Sequence, residues 1–156
     1  MKSIVLCMSI SLLAFSEADC QHDAKTFRCV KVLKNYDGDT ITVDIPGVHP
    51  LVGENISVRV IGIDTPEMKG KGSCEKEAAQ VAKDVVGSML KSAKRVDLIN
   101  VQRDKYFRIL ATVEADGRSI ADALIKQKLA YAYDGGKKLQ PNWCQSVRIP
   151  ASHLQK

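Results

Sequence analysis

The stretch Val58–Glu67, VRVIGIDTPE, constrains this chain more than any other. It begins as an alternating strand, with Val58, Val60 and Gly62 on one face and Arg59, Ile61 and Ile63 on the other, and it stops in Asp64-Thr65-Pro66-Glu67. A proline cannot donate to a sheet ladder and pushes the residue before it into an extended conformation, so the strand should end near Thr65. Two carboxylates then stand where the chain turns outward. Arg59 lies on the face opposite Asp64 until the chain bends. Carboxylates beside a fixed cation suit a metal and an anionic ligand. The plainer reading, a strand closed by a polar turn, has to be weighed against the rest of the chain.

Around this stretch the sequence predicts a small β-rich domain. Phe27–Asn35 reads as a first strand and Thr40–Ile45 as a second, the latter alternating Ile41, Val43 and Ile45 against Thr and Asp. A Pro/Gly-rich loop, Pro46–Asn55, precedes the third. Ser73–Ala93 has helical spacing in Ala78, Val81, Val85, Met89 and Ala93, with Glu75 and Glu77 at its start and Lys91 and Lys94 at its end, as the helix dipole favours. Arg95–Val101 and Phe107–Ala115 read as strands four and five, joined by the charged turn Gln102–Tyr106 and closed by Asp116-Gly117. Ser119 and Asp122 form a capping box for a helix running to about Leu129. From Tyr131 the chain is loop-like and lysine-rich. The strands do not alternate with helices as βαβ units would. The expected fold is α+β, mainly β: a five-stranded OB-fold barrel with a helix between strands three and four and another after strand five.

With 156 residues the chain is one domain's worth, and its net charge of +5 with pI near 9.0 suits polyanionic partners without requiring them. Lys2, the apolar run Ile4–Phe15 and the small residues after it read as a secretory leader, residues 1–18, cleaved after Ser16 or Ala18. The mature part, 19–156, is then a single domain, secreted or periplasmic, without a membrane anchor and a monomer. Export leaves Cys20, Cys29, Cys74 and Cys144 in an oxidising compartment after Cys7 departs with the leader. Four cysteines allow three pairings, which sequence does not decide. Proximity favours Cys20 with Cys29, leaving Cys74 with Cys144. No spacing resembles a zinc site, and the histidines are scattered.

Between the first two strands stands Tyr36-Asp37-Gly38-Asp39-Thr40. A type I′ hairpin turn accounts for Asp37 and Gly38 but does not require Asp39. Counting from Asp37 as an EF-hand loop puts Ile41 and Val48 where ligands are needed, which excludes that motif.

These blocks together, Tyr36–Thr40, then Arg59 with Ile63–Glu67, then Asp104-Lys105-Tyr106-Phe107-Arg108 and Ala115-Asp116-Gly117, resemble the thermonuclease (staphylococcal nuclease-like) family over about residues 27–133. The resemblance implies an OB-fold and a calcium-dependent phosphodiesterase that cuts DNA and RNA and leaves 3′-phosphate ends. By the same resemblance Asp39 and Asp64 are Ca²⁺-ligating carboxylates, and Thr65 offers its backbone carbonyl. Glu67 positions or deprotonates the attacking water, Arg59 and Arg108 grip the scissile phosphate, and Tyr131 and Tyr133 contact the nucleotide. Phe107 departs from the family, which usually has glycine there.

The residue types agree with this independently. Oxygen ligands without nearby His or Cys select a hard cation such as Ca²⁺ or Mg²⁺. Arginine's planar fork gives two hydrogen bonds to phosphate and stays ionised at any working pH. The alternative is a non-catalytic nucleic-acid-binding OB module, which has no use for carboxylates that repel phosphate unless a metal is bound. Asp39, Asp64, Glu67, Arg59 and Arg108 all stand together in this chain, favouring the enzyme.

Overall fold

The computed structural model describes residues 17–70, 72–104, 106, 108–139 and 141–143. In chain order the elements are β1 (Lys31–Asn35), β2 (Thr40–Asp44), α1 (Pro50–Gly53), β3 (Ile56–Val60), β4 (Ile63–Asp64), α2 (Ser73–Ser92), β5 (Val96–Arg103), β6 (Ile109–Ala115), β7 (Arg118–Ser119), α3 (Ile120–Lys126) and β8 (Tyr131–Ala132).

The main sheet runs β1-β2-β3-β6-β5. Its pairings are antiparallel except for β3 with β6, which is parallel. The free edges of β1 and β5 meet through the chain just ahead of β1. Phe27 pairs with Leu98, and the Val30 N–H donates to the Val96 carbonyl at 2.9 Å. The nine-residue run Phe27–Asn35 is therefore one strand with a corner in it. The corner is at Cys29, with φ 53°: Phe27 and Val30, on either side of it, bond β5, and from Lys31 onward the chain bonds β2. The Cys29 N–H donates to Asp97 Oδ1 at 2.8 Å, and a disulfide joins Cys29 to Cys20 with a Cα–Cα distance of 5.3 Å. The result is the expected curled OB-type sheet, with α2 between the third and fourth barrel strands and α3 after the fifth.

Alternation fills the interior. Ile41 and Val43, Val58 and Val60, Val96 and Leu98, and Ala111, Val113 and Ala115 are buried along their strands. Fully burying a valine- or leucine-sized side chain is worth about 1.5–3 kcal/mol, so this inner face dominates the fold's stability. Helix α2 covers it with Ala78, Ala82, Val86 and Leu90, and α3 adds Ile120 and Leu124. Ser119 caps α3 by accepting from the Asp122 N–H at 3.1 Å.

Three local expectations are corrected. The strand expected to run unbroken from Val58 towards Thr65 stops at Val60; Gly62 takes φ 85°, and β4 restarts in a second sheet, antiparallel to β8. Only glycine adopts that backbone conformation without strain. The break resets the alternation, so Ile63 and Asp64 are both buried. Second, the turn at Asp37-Gly38 is not type I′, because neither residue has positive φ; Asp116 (φ 50°) and Gly117 (φ 73°) take that conformation instead, between β6 and β7. Third, the segment after Leu129 is not all loop, since Tyr131–Ala132 forms β8. Residues 1–16 of the expected leader, Phe107 and Cys144, and with Cys144 the expected pairing of Cys74, lie outside the described residues. Cys74 is disulfide-bonded. Among the described residues no helix is long and apolar enough to cross a membrane.

Candidate active site

The site grows from the β1–β2 connection. The Asp37 carboxylate accepts from the Asp39 N–H at 3.0 Å, and the Val60 N–H donates to the Asp39 carbonyl at 2.8 Å, which seats Asp39 beside the end of β3. Gly38 permits this by close approach: a Cβ there would lie 2.9 Å from Thr65 Cγ2 and 3.0 Å from Ala82 Cβ. The connection is thus wedged between the Asp64–Thr65 corner and α2. Asn35 ties it down by donating to the Lys83 carbonyl at 2.7 Å.

Arg59 is the hub. Its Nη1 donates to Asp39 Oδ1, and its Nη2 donates to Asp64 Oδ1 at 2.9 Å and to the Ile63 carbonyl at 3.4 Å. The Gly62 bend is what brings Asp64 round to Arg59. Thr65 completes the cage around Asp39, with its hydroxyl 2.7 Å and its N–H 3.2 Å from Oδ2, while the Thr40 hydroxyl donates to Oδ1 at 3.2 Å. Asp39, Asp64 and Thr65 are buried, Asp39 to 1 % exposure, so the carboxylates are not the surface cluster that a strand end suggests.

On the outer side, Asp64 Oδ2 accepts from the Tyr131 hydroxyl at 2.6 Å, and the Lys138 ammonium lies 2.9 Å from Asp64 Oδ1 and 2.8 Å from Glu67 Oε1. These groups line a cleft of about 430 Å³ that also takes in Lys69, Glu75 and Trp143. A second cavity, about 770 Å³, adjoins it between Arg59, Gly62, Tyr131, Tyr133 and Lys137.

Burial and environment separate the two aspartates. Burial pushes the Asp39 carboxyl up to about 6, with Arg59 opposing and the Asp37 and Asp64 charges adding to the rise. Burial also acts upward on Asp64, but hydrogen bonds from Tyr131, Lys138 and Arg59 outweigh it and hold Asp64 below the ordinary carboxylate range. Lys138 is raised: burial works against its charged form, and Glu67 and Asp64 more than reverse this. Tyr131 is raised by burial and by its bond to Asp64.

Of the sequence-derived candidates, Asp39, Asp64, Thr65, Arg59, Glu67 and Tyr131 are brought together. Tyr131 meets Asp64 rather than standing free for a ligand, and Tyr133 lines the adjoining cavity with its hydroxyl on the Gly136 carbonyl at 2.9 Å. Arg108 stands one residue ahead of β6 on the strand next to β3, where Val58 pairs with Ile109. Its Nε donates to Asp104 Oδ2 at 2.8 Å, and its guanidinium lies 5.6 Å from the Tyr106 ring centre. Sequence reasoning missed Lys138, Trp143 and the packing role of Gly38. Trp143, the single tryptophan, is 8 % exposed and stacks on Tyr131 at 5.9 Å; a lone tryptophan in a polar tail was the available signal.

Among the described residues no three His, Cys, Asp or Glu side chains converge as a ready-made cage. Two carboxylates do converge on one guanidinium, with Thr65 next in chain, and they offer oxygen only. A partial all-oxygen set fits a hard cation that keeps water ligands, and it does not fit zinc.

Comparison with known sequences agrees with this architecture. The family model described as Staphylococcal nuclease homologue matches residues 57–146, more than half of the chain, and takes in Arg59, Asp64, Thr65, Glu67 and Arg108, with Asp39 ahead of it. The chain belongs to the staphylococcal nuclease homologue family. Among its relatives, Thermonuclease of Staphylococcus hyicus is 31% identical over 126 residues, covering 80% of this chain and 69% of that protein. SPbeta prophage-derived endonuclease YokF of Bacillus subtilis (strain 168) is 36% identical over 112 residues, covering 65% of this chain and 34% of its own length. Endonuclease YncB of the same organism is 34% identical over 111 residues, covering 65% and 48%. The chain thus spans no more than about half of the two Bacillus relatives it matches.

Proposed function

We propose that this protein is an exported, calcium-dependent nuclease that hydrolyses phosphodiester bonds of DNA and RNA and leaves 3′-phosphate ends. One observation carries the reading: a single arginine on β3 holds two buried carboxylates, Asp39 from the β1–β2 connection and Asp64 from β4, and Asp64 lines a cleft together with Glu67. A module that only bound phosphate would gain nothing from this concentration of negative charge.

Asp39, Asp64 and the Thr65 carbonyl would hold the ion. Bound there, Ca²⁺ would neutralise and orient the phosphate. Glu67, whose side chain is 58 % exposed, takes the proton from the attacking water. The water oxygen forms the new bond to phosphorus, and the 5′ oxygen leaves, so the phosphate stays on the 3′ side. Arg59 and Arg108 donate to the non-bridging oxygens as negative charge builds on them. For Arg59 this means exchanging carboxylate oxygens for phosphate oxygens at one fork.

The test is cleavage of single- and double-stranded DNA and of RNA by purified mature protein with Ca²⁺ and then with a chelator, alongside Asp39→Ala. Cleavage should stop in chelator and should be nearly abolished in the variant. Full activity in chelator would overturn the calcium assignment, and binding without cleavage under any divalent cation would favour the non-catalytic module.

A further inference from the structure

Lys138 is not needed to explain phosphodiester hydrolysis, yet its ammonium stands 2.9 Å from Asp64 Oδ1 and 2.8 Å from Glu67 Oε1. It therefore bridges the proposed ion ligand and the proposed base. Asp64 Oδ1 is already taken by Arg59, and Oδ2 by Tyr131. The two cations on Asp64 differ in how firmly they are held. Arg59 projects from a barrel strand, and its side chain is 18 % exposed; the Lys138 side chain is 47 % exposed. Lys138 rides on Asp134–Leu139, in which Gly135 takes φ 95°, Gly136 follows, and all six residues are exposed. This strap is tied at Gly136, whose carbonyl accepts from the Tyr133 hydroxyl at 2.9 Å, and at Leu139, whose carbonyl lies 3.1 Å from the Tyr131 hydroxyl and shares its proton with Asp64. Beyond it, Trp143 stacks on Tyr131. The segment is tied on either side of Lys138, at Gly136 and Leu139, and the lysine side chain is long and half exposed, so the ammonium can leave while the backbone stays attached.

We propose that Lys138 is a built-in competitor of the divalent cation: it neutralises Asp64 and Glu67 in the ion-free protein and is displaced as the ion binds. This rests on the reading of Asp39, Asp64 and Thr65 as ion ligands. An ammonium and a divalent ion drawing on the same Asp64 oxygen repel each other, so the affinity measured for the ion is the intrinsic one reduced by the fraction of protein in which Lys138 is seated. A half-exposed pair is worth little in isolation and two carboxylate partners raise this only modestly, so the effect is a tuning of affinity and not a block.

Direct titration of Ca²⁺ by calorimetry tests this on the full mature chain, in wild type, Lys138→Met, Lys138→Arg and Asp39→Ala. Lys138→Met should tighten Ca²⁺ binding by about three- to tenfold, the equivalent of roughly 0.7–1.4 kcal/mol. Lys138→Arg, which keeps the charge, should stay near wild type. In parallel, labelling of surface amines followed by mass spectrometry should show Lys138 becoming more reactive on adding Ca²⁺ while the exposed neighbour Lys137 does not change. Unaltered or weaker Ca²⁺ binding in Lys138→Met, with wild-type binding lost in Asp39→Ala, would overturn the role of Lys138 and leave the ion site standing. Ca²⁺ binding that is absent in wild type, or indifferent to Asp39→Ala, would overturn both.

Discussion

At Arg59 one side chain satisfies two buried carboxylates, and the shape of the guanidinium makes this possible: its two terminal nitrogens reach Asp39 and Asp64 at once, and one also reaches the Ile63 carbonyl. A lysine keeps the charge but replaces the planar fork with a single point, so Arg59→Lys cannot grip a phosphate with two parallel hydrogen bonds. Catalytic arginines in phosphoryl transfer are worth on the order of 10³ to 10⁵ in rate, and the expected loss in kcat for Arg59→Lys lies in that range. Arg108→Lys should behave alike, with the further loss of its Nε bond to Asp104. Steady-state kinetics on a defined oligonucleotide decides this; a lysine variant within about threefold of wild type would reduce that arginine to part of a basic surface. That Arg59, Asp39, Asp64 and Glu67 stand near one another could be anticipated only from the separate blocks that carry the family resemblance, because each block alone reads as an ordinary strand or turn. Lys138 could not be, because a lysine in a lysine-rich tail carries no pattern until the chain is folded back onto Asp64.

The two Asp-Gly pairs show what an element's sequence reveals and what it hides. Both signal a turn, and both make one. At Asp116-Gly117 the glycine serves its conformation: φ is 73° and a Cβ would meet nothing. At Asp37-Gly38 it serves packing, since the connection lies against Thr65 and Ala82, and nothing local announces a contact with a helix that begins at Ser73. The same limit applies to α2. Its apolar spacing placed the helix, but that Ala82 lies where the Asp37-Gly38 connection approaches, a site with no room for a larger side chain, is visible only in the tertiary contact. Substitution separates the two glycines. Gly38→Ala forces Thr65 or α2 to shift, should destabilise by about 1–3 kcal/mol as overpacking does, and should lower activity because Thr65 holds Asp39. Gly117→Ala should cost about 1–2 kcal/mol through its left-handed backbone and leave kcat unchanged. Thermal melts with activity measured on the same samples give the comparison. A Gly38→Ala protein with wild-type melting and wild-type turnover would remove the close approach from the account of the site.

For the whole molecule the decisive feature is where the barrel closes. The main sheet has a run of five strands from β1 to β5, and the join between its edges is short, made by the Phe27–Leu98 bridge with the Val30 to Val96 and Val101 to Lys25 hydrogen bonds on either side of it. The corner at Cys29 makes that join, and the Cys20–Cys29 disulfide holds the incoming chain to it. Five strands and their order of hydrophobic alternation were readable in advance, but the corner was not, because Cys29 lacks the glycine or proline that usually marks a bend. A disulfide across a separation of nine residues stabilises by about 2–3 kcal/mol in the chain-entropy account, a large share of the 5–15 kcal/mol typical of a domain. The double variant Cys20→Ser, Cys29→Ser should therefore melt clearly lower than wild type while leaving Cys74 in its own disulfide. The loss should be local: amide exchange should speed up at Leu98, which donates to the Phe27 carbonyl at 2.8 Å, more than at Val60, which donates to the Asp39 carbonyl at 2.8 Å beside the site. Among the described residues no sulfur takes part in the contacts of Asp39, Asp64 or Arg59, so turnover well below the new melting temperature should match wild type, and added Ca²⁺ should restore part of the lost stability by binding only the folded state. Equal melting temperatures for variant and wild type would mean that the join holds without the disulfide. Turnover lost while the variant is still folded would mean that the join and the site are coupled through the barrel, since β1, which begins at the corner, pairs with the strand that Asp39 precedes.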